Sequence, residues 1–428
     1  MSLMEKTVMP ASRAVTEANN ERLSLLHLLN PAVIAGPHAF YHDLREHDPV
    51  HWDPYMHAWV VTSYTEVITV LTNYSADRTP ASDYLDRLGL SFMKPFAEIM
   101  RKQMLFMDPP MHTRLRSICS AAFTPHKIEG LRKLIESIAN ELLDRVIASG
   151  RLDMIADFAA PLPAIVTATL MGIPVEDHRQ IGFWVKDIAE VHGNFQHHPD
   201  RVAEVIQSLQ DMKSYIVDCM NQQRKLPNNG LIHSLMTAEV DGQRLTDEEV
   251  IASTIVTIIG GHETTTNLIA GGFLTLLRNP DSLEQLLTRP EIVASAVEEL
   301  LRFESPVQHT ARIAPDNMQL GGKTIQKGSR VVAVLAAANR DPNRFPDPDR
   351  LDLLRPDNRH LAFGWAGHFC FGAPLARMEG QIAFNLLLSR LLRPALLDDT
   401  LNWRNNAGLR GLTKLNIRFD HGLPTAGD

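Results

Sequence analysis

Apolar residues recur every three or four positions over 127–148, 161–171 and 201–225, and each run stops at proline, glycine or a polar cluster. That period predicts helices. Alternation with a period of two is scarcer. Residues 49–53 and 58–61 predict a small hairpin, followed by a helix capped by Ser63 with Glu66 three residues on. Alternation returns over 317–335, around the turn pairs Gly321-Gly322 and Lys327-Gly328, and over 412–419. The expected fold is mainly α with a minor β portion.

One helical run is longer than the rest. Thr246-Asp247-Glu248-Glu249 is a capping box with Leu245 placed as a staple, and nothing stops the helix before Asn279-Pro280. At about 1.5 Å per residue it spans roughly 50 Å and should cross the molecule. Residues 251–259 are almost wholly apolar, Gly260-Gly261-His262-Glu263-Thr264-Thr265-Thr266-Asn267 are not, and apolar character resumes at Leu268. Buried polar groups cost free energy unless paired, and each glycine weakens a helix by roughly 1 kcal/mol relative to alanine. Two readings of this polar knot stay open. The glycines admit another body, with Glu263 and Thr264 offering proton-carrying groups beside it, or the helix kinks and its threonine hydroxyls bond back to it. A zinc-protease HExxH pattern fails, because its fifth position is Thr266.

Composition narrows the class. With 428 residues and 44% apolar content the chain can bury a large core, and without repeats or linkers it reads as one continuous domain, 1–428, whose first 20 residues are expected to form a flexible tail. Three scattered cysteines, Cys119, Cys219 and Cys370, form no disulfide framework or CxxC pair, so a reducing, cytoplasmic location is expected. The polar amino terminus predicts no signal peptide or membrane anchor. A net charge of −8 argues against nucleic acid as the main ligand.

Cys119 and Cys219 sit in helical stretches and read as small buried hydrophobes. Cys370 differs. It lies in Phe363-Gly364-Trp365-Ala366-Gly367-His368-Phe369-Cys370-Phe371-Gly372, a glycine-rich loop running into a helix with Pro374 in its first turn. Amide dipoles aimed at the sulfur favour thiolate. Such a thiolate is a nucleophile or a ligand to a soft metal centre, and sulfur alone does not choose.

The cysteine loop, the Gly-Gly-x-Glu-Thr of the long helix and Glu299-Leu300-Leu301-Arg302 occur in an order that resembles the cytochrome P450 superfamily. The resemblance implies a triangular helical prism with a β-rich corner and heme b between the long helix and the cysteine loop. It implies Cys370 as axial ligand to the heme iron, Phe363 packed by the sulfur, and Gly260 and Gly261 beside the heme. His112 and Arg116, in Asp108-Pro109-Pro110-Met111-His112-Thr113-Arg114-Leu115-Arg116, with Arg312 and His368, would hold the heme propionates, and Glu299, Arg302 and Arg355 would form an ion-pair triad bracing the loop. Ala366 departs from the family, which has glycine there. Alanine is strained at positive φ, so the bend is expected to pass to Gly367.

By the same resemblance Glu263 and Thr264 deliver protons to dioxygen. The product would be a hydroxylated or epoxidised apolar small molecule. The electrons would come from a ferredoxin or flavodoxin with an NAD(P)H-dependent reductase, and the protein would act as a monomer. Phe92, Met93, Phe183, Val307, Gln308 and Leu409 are candidate pocket residues. A peroxide-driven peroxygenase and a non-catalytic heme-thiolate sensor are the rival readings, disfavoured by the Glu263-Thr264 pair.

Overall fold

The computed structural model describes residues 23–193, 199–398 and 400–421, so the expected tail over 1–20 lies outside them. The 32-residue central helix, Asp247–Arg278, begins and ends where its caps predict. The Thr246 hydroxyl accepts from the Glu249 N–H, and the Glu249 carboxylate accepts from the Thr246 N–H. Most of its residues from Val250 to Leu276 are buried on every side. A helix apolar all round needs a wall of protein around it. Pro161–Met171, His178–Gly193, Val293–Glu304 and Ala373–Arg390 pack against it.

The helical run over 127–148 is two helices, Pro125–Glu129 and Arg132–Ile147, parted at Gly130-Leu131. Ser63 does precede a helix, Tyr64–Asn73, but its hydroxyl donates to the Glu66 carboxylate and caps no backbone group. The hairpin Val50–Asp53 with Ala58–Val61 is present. It joins Arg330–Ala333 in parallel and, through it, Thr310–Ile313, giving a four-stranded sheet. Only part of 317–335 is the expected alternating unit. Met318–Leu320 pairs with Lys323–Ile325, and the chain turns helical again at Leu335–Ala338. Residues 412–419 divide between two sheets, Leu412–Lys414 on Asn402–Trp403 and Asn416–His421 between Leu391–Leu396 and Arg151–Asp153.

Cys119 and Cys219 are 2% and 5% exposed, as expected of structural thiols. Among the described residues, one stretch, Met154–Met171, is long and apolar enough to cross a membrane, and 67% of it is buried within the fold.

His38, on the helix His38–His47, finds no partner among the described residues for either ring nitrogen. Burial, reinforced by Arg340, Arg410 and Arg302, pushes its pKa well below the usual histidine value. The folded state therefore holds His38 neutral while the unfolded chain takes up a proton below about pH 6.5. Stability from this group is full above that pH and is lost as the pH falls beneath it. The urea midpoint should fall between about pH 7.5 and 5.5, and more shallowly in H38N. An H38N slope equal to that of the parent would contradict this assignment.

Candidate active site

Phe363 to Gly372 form the turn ahead of the helix Ala373–Arg390. The Cys370 N–H donates to the Phe363 carbonyl at 2.7 Å, and its Sγ accepts from the N–H groups of Gly372 and Ala373. Burial nonetheless pushes the Cys370 thiol up, and those amides, Arg116 and Arg377 only partly offset it. This corrects the expectation that the loop and helix terminus by themselves favour thiolate. Desolvation of a buried anion outweighs a few partial charges. The two roles separate on this point: a nucleophile must be activated by the protein, whereas a metal deprotonates the thiol that ligates it.

The bend does not pass to Gly367. Gly364 and Ala366 are left-handed, at φ +71° and +53°, and Gly367 is not. Ala366 bears a strain of about 1–2 kcal/mol that glycine would avoid.

Behind the loop, Glu299 and Arg302 are both 0% exposed and paired at 2.8 Å. Arg355 Nε lies 3.2 Å from each Glu299 oxygen, and Asn358 Nδ2 and the Asp352 N–H also donate to that carboxylate. Arg302 Nη1 donates to the carbonyls of Asn339 and Pro348 at 2.9 Å. A second brace escaped the sequence. Glu298 accepts from Arg377 Nε and Nη2 at 2.7 and 2.8 Å, and lies 3.2 Å from His360 Nε2. Although burial works against it, Arg377 and His360 pull Glu298 down to about 2. Arg377 also lies over the Phe363 ring, 4.6 Å from its centroid, so this pair ties the loop's aromatic to its helix.

His112 and His368 stack at 4.1 Å between centroids, and Arg116 donates to the Phe369 carbonyl at 2.8 Å. The Arg312 guanidinium lies close enough to push both imidazoles down, though burial acts on each more strongly; His368 falls to about 3. Among the described residues, Arg312 Nε and His112 Nε2 are buried without a partner. Arg78, which nothing in its local sequence singled out, joins this group: burial, then Arg312 and Arg330, push it down to about 9. Asp108 is the carboxylate that acts on His112, Arg312 and His368, and its own oxygens are taken by Ser75 and the Ala76 N–H. Arg312, buried with an orphaned donor and repelled by the half-buried Arg78, calls together with the orphaned His112 nitrogen for an anionic ligand.

On the central helix Val256, Thr257, Gly260, Gly261, His262 and Thr264 are accessible between buried neighbours, and spacing puts Val256, Thr257, Gly260 and Thr264 on one face. A Cβ at Gly260 would meet nothing within 4 Å. Gly261 corrects its sequence reading: a Cβ there would lie 3.0 Å from Thr167 Oγ1, so its bare face admits Thr167 and not a cofactor. Thr264 donates to the Gly260 carbonyl at 2.6 Å and Thr266 to the His262 carbonyl at 2.8 Å, the back-bonding of the alternative reading. Glu263, 4% exposed, is ion-paired with Arg404, a partner the sequence did not suggest.

The family model for cytochrome P450 matches residues 55–393. The chain belongs to the cytochrome P450 family. It is 37% identical over 385 residues to the polyketide biosynthesis cytochrome P450 PksS of Bacillus subtilis (strain 168), covering 87% of this chain and 93% of that one. It is 34% identical over 392 residues to the 6-deoxyerythronolide B hydroxylase of Saccharopolyspora erythraea, covering 89% and 95%. Among solved structures, P450BioI in complex with hexadec-9Z-enoic acid ligated acyl carrier protein superposes with a TM-score of 0.85 at 34% identity, covering 91% of this chain and 99% of that one. A myxobacterial P450, CYP267B1, in complex with myristic acid gives 0.84 at 37%, covering 93% and 100%.

The protein is a monooxygenase with heme as its cofactor, as its family implies. The residues present fit that group. Buried Arg312 with half-buried Arg78 and Arg116 suits two propionates, the bare face at Gly260 suits a flat macrocycle, and the sulfur with its two amide donors suits iron.

The pocket residues divide. Val307 and Leu409 meet in an isolated β-bridge, and Met93 packs partly buried against the main core. Gln308 is a correction: only 2% exposed, its amide oxygen accepts from the Tyr41 hydroxyl and its amide nitrogen donates to the Glu304 and Ser305 carbonyls, so it braces the chain and lines nothing. Phe92 and Phe183 are 49% and 63% exposed and form no packed wall.

Proposed function

We propose that this P450 is a single heme domain, residues 1–428, that uses O2 and two electrons to hydroxylate or epoxidise an apolar small molecule. The electrons come from a separate ferredoxin or flavodoxin and its NAD(P)H-dependent reductase. In this reading Cys370 is the axial ligand, His112, Arg116, Arg312 and His368 hold the propionates, and Glu299, Arg302 and Arg355 brace the loop. Heme, when bound, supplies the O2 chemistry. Three free cysteines support a reducing, cytoplasmic setting.

The observation that carries this reading is the accessible face at Val256, Thr257, Gly260 and Thr264 midway along a largely buried helix, with the buried Glu263 carboxylate at the preceding position. One substrate C–H bond and O2, with two electrons and two protons, give one hydroxyl and one water. The protein must therefore bring two protons into an apolar interior. Thr264 Oγ1 can hold one and pass it on, and a carboxylate at the next position can refill it. Val307, Leu409 and Met93 offer apolar surface to the substrate and help exclude water. Relatives solved with a fatty acyl group or myristic acid support an apolar substrate.

Replacing Thr264 by alanine should leave electron consumption running while the fraction recovered as product falls on the order of tenfold. Unchanged coupling in T264A would overturn the proton role. Fatty acids such as myristic acid should convert the ferric heme from low to high spin. A response confined to charged, polar ligands would overturn the substrate class.

A further inference from the structure

We propose that Arg404 is the positioning residue for Glu263 and couples that acid to the wall of the substrate pocket. The inference rests on the proton role proposed for Glu263.

Arg404 directly follows the short strand Asn402–Trp403, and its N–H donates to the Gly411 carbonyl at 2.9 Å, closing the turn 404–411. The turn is docked on one face of the central helix. Its guanidinium pairs with Glu263, and Gly411 lies against Asn267, one helical turn further along, where a Cβ would come within 2.0 Å of Asn267 Oδ1. Only glycine permits that approach. The same turn carries one of the proposed pocket residues. Leu409 bridges to Val307, and the Gln308 N–H donates to the Gly408 carbonyl at 2.9 Å. It also reaches the covering helix His178–Gly193, where Asn406 Nδ2 lies 3.3 Å from the Ala189 carbonyl. Asn406 Oδ1 accepts from the N–H groups of Gly408 and Leu409, which makes the turn one stiff unit.

A proton carrier must accept a proton on one side and release it on another. A buried carboxylate held by a guanidinium is confined to one geometry by a charge-assisted hydrogen bond. Glu263 is taken by Arg404 and the Thr264 hydroxyl by the Gly260 carbonyl, so each member of the proposed pair is bonded elsewhere. Arg404 therefore holds Glu263 out of use, and a substrate seated against Val307 and Leu409 shifts the turn and releases it. The released carboxylate takes a proton from solvent and gives it to Thr264 Oγ1. That hydroxyl passes its own proton into the pocket, and Glu263 returns to Arg404 as carboxylate.

The experiment compares heme-loaded R404M, R404K, E263Q and R404M/E263Q with the parent. R404M should consume NAD(P)H several-fold faster without substrate and return less product per electron pair with it, and R404K should restore most of the linkage. Infrared spectra should show a protonated carboxylic acid band in R404M that is missing from R404M/E263Q, because a buried carboxylate without its counter-charge takes up a proton. R404Q, which keeps donors without charge, replaces R404M should the latter not fold. If R404M matches the parent in substrate-free consumption and infrared spectrum while E263Q slows turnover, the positioning role fails and the proton role of Glu263 stands. If E263Q leaves turnover and coupling unchanged, the proton role fails and takes this inference with it.

Discussion

Replacing Cys370 by serine is expected to abolish the thiolate-type Soret band of the reduced carbon monoxide complex and to cut product formation roughly a thousandfold, equivalent to about 4 kcal/mol of barrier. The thiolate is the electron donor that favours O–O cleavage in this family, and a hydroxyl is a harder, less basic ligand. The loop itself should survive, since the Cys370 N–H to Phe363 carbonyl bond and the amides of Gly372 and Ala373 are backbone groups. Heme content measured beside the spectrum separates lost ligation from lost cofactor, and C370H provides a second variant with a nitrogen ligand. A thiolate-type band in C370S would mean that another residue carries the iron.

The second large effect is expected at Glu299. Glutamine there leaves Arg302, 0% exposed, and Arg355 without their anion, at a cost of about 3–5 kcal/mol, since an uncompensated buried charge is worse than no charge at all. E299Q should bind heme substoichiometrically and unfold at a markedly lower denaturant concentration. Removing both charges as E299L/R302L should recover part of the loss if the penalty is electrostatic. A fully loaded, equally stable E299Q would show that the loop is held instead by Glu298, Arg377 and His360.

These braces show how unevenly the site was legible. Glu299 and Arg302 are three apart on one helix, so their contact follows from helical geometry alone. Glu298 stands next to Glu299, yet its partner Arg377 is 79 residues away and no local rule joins them. Gly260 and Gly261 look alike in the sequence and differ in space, because only one of them faces Thr167. Gln308 shows the limit of polarity as a guide. A polar residue near a proposed pocket was as ready to satisfy the backbone as to meet a substrate.

The sequence by itself determined the helical class, both ends of the central helix, the special standing of Cys370 and the family. The first three depend on residues within a few positions of one another, where a helical period, a capping box or a glycine-rich turn is written directly in neighbouring side chains, and the family depends on the order of such motifs along the chain. Only the tertiary structure decided that Arg404 pairs with Glu263 across 141 residues, that Arg78 lies by Arg312, and that Ala366 keeps the left-handed bend. Those outcomes depend on which elements pack together, because desolvation and ion pairing act through distance in space.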